Sequence, residues 1–167
     1  MKATEKGQTT VEFALAFAGV LLPLTFGVIF TAELLWVWHS VNEFTREGAS
    51  YAATHCWQSD SSNVINFMQA NLPPMVAQDQ FQNGQAQINV SYFALDPASG
   101  TLMPFACDAA VSANCEPDTV TVSVTGFEWR TFVTTFLGLP PVPIPNFQTS
   151  LPVESAGVDP EEGTCVP

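Results

Sequence analysis

From Phe13 to Ala32 the chain runs through twenty residues without one charged side chain. At about 1.5 Å per helical residue such a run extends roughly 30 Å, the thickness of a bilayer's hydrocarbon core, so it is long enough to cross a membrane. Beyond it the pattern becomes amphipathic. Leu34, Trp38, Val41, Thr45, Gly48 and Ala52 recur at steps of three or four, while Glu43, Arg46 and Glu47 fall off that stripe. One long helix is therefore predicted from Gln8 to about His55, broken only by the potential interruptions Gly19, Pro23, Gly27 and Gly48, which membrane helices tolerate better than soluble ones. Trp36, Trp38 and His39 follow the span directly, where amphipathic rings favour the headgroup zone.

After Cys56 the polar cluster from Gln58 to Ser62 reads as a turn. A second helix is predicted over 63–72, capped by Ser61 or Ser62 and stopped before Pro73 and Pro74, with Val64, Phe67, Met68 and Leu72 as its apolar stripe. The period then changes to two. Ile88, Val90 and Tyr92 alternate with polar neighbours over 87–92, and Val120, Val122 and Val124 alternate with hydroxyl residues over 119–125. A third strand is predicted over 147–153, where Pro152 confines it to a sheet edge or ends it early. Between the last two strands lies a Phe-rich stretch from Phe127 to Leu139, readable as a loop covering the sheet or as a short helix. Pro140 to Pro145 follow as a polyproline-like segment. The tail from Ser155 is polar and acidic. The fold class is α+β: a long N-terminal transmembrane helix packed on a small antiparallel sheet of three or four strands.

A chain of 167 residues has room for one membrane helix and one small domain. Its formal charge of −12 with only four Lys or Arg excludes nucleic acid and anionic surfaces as natural partners. Lys2 and Lys6 flank the apolar run on its N-terminal side whereas Glu33 follows it, so the positive-inside rule places the N-terminus in the cytoplasm and exports the rest. A removed signal peptide fits poorly, because the apolar run exceeds the roughly 7–15 residues of such segments and no small-x-small site follows it. Cys56, Cys107, Cys115 and Cys165 all fall in the exported part, an even number where disulfides are permitted. Three pairings are possible; the short loop between Cys107 and Cys115 favours their union and leaves Cys56 for Cys165.

The only histidines, His39 and His55, stand in no metal-ligand spacing, and His55 with Cys56 lacks two further ligands. No nucleophile and base, paired carboxylates or glycine-rich phosphate loop is arranged, so neither enzyme activity, metal nor cofactor is expected. Glu12 is the residue that asks for an explanation. A carboxylate at membrane depth costs about 2.5–3.5 kcal/mol at the centre and less near the edge, so it usually has a partner and a task. Gly19, Pro23 and Gly27 recur every four residues, with Ala14 and Ala18 beside them, which suits close helix packing; a kink at Pro23 in a solitary anchor accounts for them equally well.

With these residues in view a resemblance emerges. Gly7 after a short basic leader, Glu12 five residues later and an apolar helix directly following resemble a type IV prepilin, cut after the glycine by a prepilin peptidase. The stretch GQTTVEFALAF from Gly7, together with TREGASYAA from Thr45, is similar to the TadE-like family, minor pseudopilins of the Tad (Flp) pilus system. The likeness covers about the first third of the chain. It implies a leader at 1–7, a long helix over 8–56 with its span at about 13–32, and an exported domain over 57–167. Cleavage between Gly7 and Gln8 would remove Lys2, Glu5 and Lys6, a net charge of +1, and change −12 to −13. The family assigns Glu12 a role in neutralising the new α-amine, in its own or a neighbouring subunit. Implied partners are the peptidase, other pilin or pseudopilin subunits, the inner-membrane assembly platform and the lipid bilayer. Two alternatives stay open: a type II secretion pseudopilin, against which TREGASYAA argues, and a single-pass anchored binding module using the region from Phe127 to Phe136.

Overall fold

The computed structural model describes residues 5–58, 60–74, 76–105, 116–131, 134, 138 and 140–153. Two compact units are present, Met1–Trp38 and His39–Pro167. Helix α1 (Glu5–Ala16) leads into a π-helical turn (Phe17–Leu21) and then into α2 (Leu22–Thr54). Helix α1 already includes Glu5, ahead of the expected Gln8, because adding residues to a formed helix is far cheaper than nucleating one. The α-helix is interrupted at one of the potential breakers named in the sequence, just ahead of Pro23. Leu22 donates its N–H to Phe17 O, five residues back, immediately before Pro23. Proline has no N–H to give and its ring crowds the carbonyl four residues earlier, that of Gly19, so a widened turn at this point relieves the clash. Downstream, the Thr25 and Thr31 hydroxyls donate to Leu21 O at 2.7 Å and Gly27 O at 2.8 Å.

Strands β1 (Gln87–Leu95), β2 (Leu102–Pro104) and β3 (Thr119–Thr125) lie in the second unit, as does the two-residue ribbon β4 (Glu128–Trp129) with β5 (Val142–Pro143). Strand β6 (Phe147–Pro152) completes the set. The main sheet has the order β2-β1-β3-β6, every pairing antiparallel. Val122 sits opposite both Val90 and Thr149, and Val120 opposite Tyr92 and Leu151, so the alternating apolar residues share one face. That face meets α2: Thr45 Oγ1 and Thr149 Oγ1 are 3.1 Å apart. The other face carries hydroxyls and amides joined across strands, Thr121 to Ser150 at 2.8 Å and Asn89 to Thr125 at 3.1 Å. β6 is an edge strand that ends at Pro152, as its sequence required.

The buried line on the C-terminal half of α2 is Val41, Phe44, Thr45, Gly48, Ala49, Ala52 and Ala53. Trp38, placed on that line by periodicity, is exposed, and Phe44 takes the ring position instead, edge-on to Phe81 at 6.0 Å. Helix α3 (Ser62–Ala70) starts one residue earlier and stops two earlier than predicted. Neither Ser61 nor Ser62 caps it with a side chain oxygen. Ser61 adopts a left-handed conformation at φ 53° and the capping passes to Asp60 Oδ1, which accepts from Ser62 N–H at 3.1 Å, and to Gln58 Oε1, which accepts from Asn63 N–H at 3.3 Å. A short helix α4 (Gln78–Gln82) precedes β1. Its Gln80 is fully buried, its amide donating to Glu128 O at 2.7 Å and accepting from Glu128 N–H at 2.9 Å, so one side chain holds β4 as a neighbouring strand would. Part of the presumed polyproline stretch, Val142 with Pro143, is paired with β4 rather than free. Within the Phe-rich stretch, Phe127 is buried 6.1 Å from Phe81.

Candidate functional site

The N-terminal features fall on one continuous helical backbone. Gly7, Gln8 and Glu12 all lie in α1, and Glu12 follows Gln8 by one turn and stands just ahead of the apolar run. Its side chain is exposed, as are Phe13, Val20, Leu24 and Val28 beyond it. Within Thr9–Thr54 this helix is long and apolar enough to cross a membrane once. Gly19 lies inside the π turn and Gly27 one turn past Pro23; a Cβ at either glycine would meet nothing within 4 Å. A helical surface of this kind, apolar and exposed, offers small residues for close approach by another helix.

The second motif is built for packing. Thr45 is buried and donates to Asn42 O at 2.8 Å besides meeting Thr149. Gly48 lets α3 approach so closely that a Cβ would strike the Met68 sulfur, with Met68 Cε 2.8 Å away. Tyr51 stacks on Phe67 at 4.1 Å between ring centroids and on His55 at 3.7 Å. His55 Nδ1 donates to Tyr51 O at 2.9 Å, which leaves its ring in a local structural role. Arg46 is exposed, 3.9 Å from Glu43, a loose surface pair worth a few tenths of a kcal/mol. Small and hydroxyl residues in TREGASYAA are thus explained by the helix–helix and helix–sheet contacts they permit.

Among the described residues no group of three or more His, Cys, Asp or Glu is placed to hold a metal ion. Two carboxyls are held below the ordinary aspartate range by hydrogen bonds, Asp60 from Ser62 and Asp96 from Ser99 and the Ala98 N–H. Burial pushes the Tyr92 phenol up to about 12. Trp57 packs edge-on against Tyr92 and Phe105, at 6.4 and 5.0 Å. Cys56 beside it is buried and disulfide-bonded; Cys107, Cys115 and Cys165 lie outside the described residues, and so do the expected pairings.

A family model described as TadE-like protein matches residues 7–50. Over those residues the chain is similar to TadE-like proteins. The matched segment opens on Gly7, takes in Glu12, the whole apolar run and the start of TREGASYAA, and stops before the first strand. Neither curated proteins nor solved structures give a match to the chain. Sequence reasoning missed Gln80, whose burial no period announced.

Proposed function

We propose that this chain is a minor pilin-like subunit of a Tad-type pilus machine, inserted in the bacterial inner membrane and acting by assembly, without turnover. The observation that carries the reading is the TadE-like segment beginning at Gly7, with Glu12 one helical turn after Gln8 and the membrane-length apolar run directly behind. In this reading a prepilin peptidase cuts after Gly7, and the carboxylate of Glu12 neutralises the α-amine of Gln8 in the same or an adjoining subunit, offsetting the cost of both charges at the membrane edge. Gly7 helps, since a glycine weakens a helix by about 1 kcal/mol relative to alanine and keeps the bond to be cut openable. The N-terminus faces the cytoplasm and the domain from residue 57 onward is exported, where Cys107–Cys115 and Cys56–Cys165 bridges would form. The single helix packs on other pilin or pseudopilin helices through Gly19, Pro23 and Gly27.

Mass spectrometry of membrane-extracted protein made with and without a Tad prepilin peptidase tests this, with Gly7→Val as control. Loss of residues 1–7 only when the peptidase is present, and not in Gly7→Val, is the expected result. An intact N-terminus under every condition would leave a membrane-anchored exported domain that acts through binding.

A further inference from the structure

Asn83 is the only asparagine in the chain that is followed by a glycine. The pair stands in the turn between α4 and β1, and both residues are exposed. A glycine after asparagine leaves the next backbone nitrogen without a side chain to shield it, so that nitrogen can reach the asparagine's own carboxamide carbon. Asn83 sits at φ −90° and ψ 0° and Gly84 at φ 79°, the left-handed region that glycine enters without strain. Gln85 donates its N–H to Asn83 Oδ1 at 3.2 Å, which holds the carboxamide over the backbone that follows. A backbone N–H on that oxygen is also the kind of donor that stabilises charge developing there when Cγ is attacked.

At ψ 0° the Gly84 nitrogen does not yet face Cγ, and the attack needs a rotation about the Asn83 Cα–C bond. Little resists it. Among the described residues neither the Asn83 C=O nor the Gly84 N–H makes a hydrogen bond, and a Cβ on Gly84 would meet nothing within 4 Å. Asn89 is the contrast. It lies within β1 in register with Ser123, is followed by the β-branched Val90, and donates from its amide to Thr125 Oγ1 at 3.1 Å.

We infer that Asn83–Gly84 is a site of spontaneous covalent modification, a deamidation that runs through a cyclic imide to aspartate and isoaspartate. The Gly84 nitrogen gives up its proton to hydroxide and bonds to Asn83 Cγ; the Cγ–Nδ2 bond breaks, and the amide group takes a proton from water and leaves as ammonia. Water then opens the imide at either carbonyl, so asparagine and water become acid and ammonia. Opening on the main-chain side gives isoaspartate, whose backbone runs through Cβ and Cγ and is longer by a methylene. The turn is fixed on both sides of it. Asn83 donates its N–H to Asp79 O at 3.0 Å, Ala86 donates to Gln80 O at 2.9 Å, and the Gln85 carbonyl stands so close to Gly126 that a Cβ there would strike it. Isoaspartate in this turn therefore pulls on Gln80, and the clamp from Gln80 to Glu128 loosens with it. The site is independent of the pilus reading and of cleavage after Gly7.

The full chain in lipid nanodiscs is held warm at neutral and at mildly alkaline pH and digested with chymotrypsin. The peptides are mapped by mass spectrometry with electron-transfer fragmentation, which tells isoaspartate from aspartate. Cleavage after Phe81 and Tyr92 yields a peptide that holds both Asn83 and Asn89, so the second asparagine is an internal control. Asn83 converts at least about tenfold faster than Asn89, and faster at the higher pH, with isoaspartate among the products. Amide exchange of the aged protein shows the Glu128 N–H about tenfold less protected, while Asn83→Gln, whose longer side chain would have to close a larger ring, shows neither change. An intact Asn83, conversion no faster than at Asn89, or conversion confined to urea-unfolded protein overturns the inference. Isoaspartate formed in the folded chain with Glu128 protection unchanged, or the same loss of protection in aged Asn83→Gln, overturns the link to the Gln80 clamp.

Discussion

Gly48→Ala sets two known effects against each other at one atom. Alanine inside a helix is favoured over glycine by about 1 kcal/mol. Against this, the new methyl would collide with the Met68 sulfur and stand 2.8 Å from Cε and 3.0 Å from Cγ. Met68 is only 1% exposed, so its side chain has little space into which to withdraw. Overpacking of this kind costs about 1–3 kcal/mol, which exceeds the propensity gain and leaves a net destabilisation of about 1 kcal/mol. Met68→Ala alone removes a buried side chain and costs about 2–5 kcal/mol. In the double variant the clash is gone while the helical gain remains, so the double variant is more stable than the sum of the single changes by about 1–3 kcal/mol. Urea unfolding of the full chain in detergent micelles, followed by tryptophan fluorescence, measures all four corners of the cycle. A stabilised Gly48→Ala, or a cycle additive to within about 0.3 kcal/mol, would refute the claim that Gly48 sets the α2–α3 distance.

Gln80→Leu strands the N–H and C=O of Glu128 and lowers stability by roughly 2 kcal/mol in the same unfolding assay, with the β4–β5 ribbon losing amide-exchange protection first. Asp60 has a folded pKa below its unfolded value, so its contribution to α3 is present at neutral pH and is lost as the pH falls through the ordinary aspartate range and below; Asp60→Asn removes that acid limb from the α3 amide-exchange profile. Tyr92 is shifted the other way. Its neutral phenol stabilises the fold fully below about pH 10, and this is lost as the pH rises through about 12, so Tyr92→Phe flattens the alkaline side of the stability curve.

Where the hydrophobic period was strong, the sequence and the structure agree. The alternation of Ile88, Val90 and Tyr92, and of Val120, Val122 and Val124, places β1 and β3 side by side with those residues on the helix-facing side. Pro152 correctly marked an edge. What the period could not carry was set by partners distant in sequence. Gln80 lies in the polar segment QDQFQ, and its burial depends on a backbone peptide 48 residues away. β2, β4 and β5 have three, two and two residues, too few for an alternation to register. The phase error at Trp38 came from continuing one stripe across residues that Phe44 and the alanines re-centre. For the N-terminal site the linear spacing of Gly7, Gln8 and Glu12 was legible in full, since it is local.

The π turn ahead of Pro23 has a consequence for the azimuth of the membrane helix. Its hydrogen bond spans five residues, from Leu22 back to Phe17, so backbone positions that line up across it are five apart rather than four. The line running up from Gly27 through Pro23 is then continued by Ala18 and Ala14. A single extra residue in the backbone splices two short rows of small side chains into one seam from Ala14 to Gly27, about 20 Å long at 1.5 Å per residue. Read as an unbroken α-helix, the same letters would divide that seam between two faces.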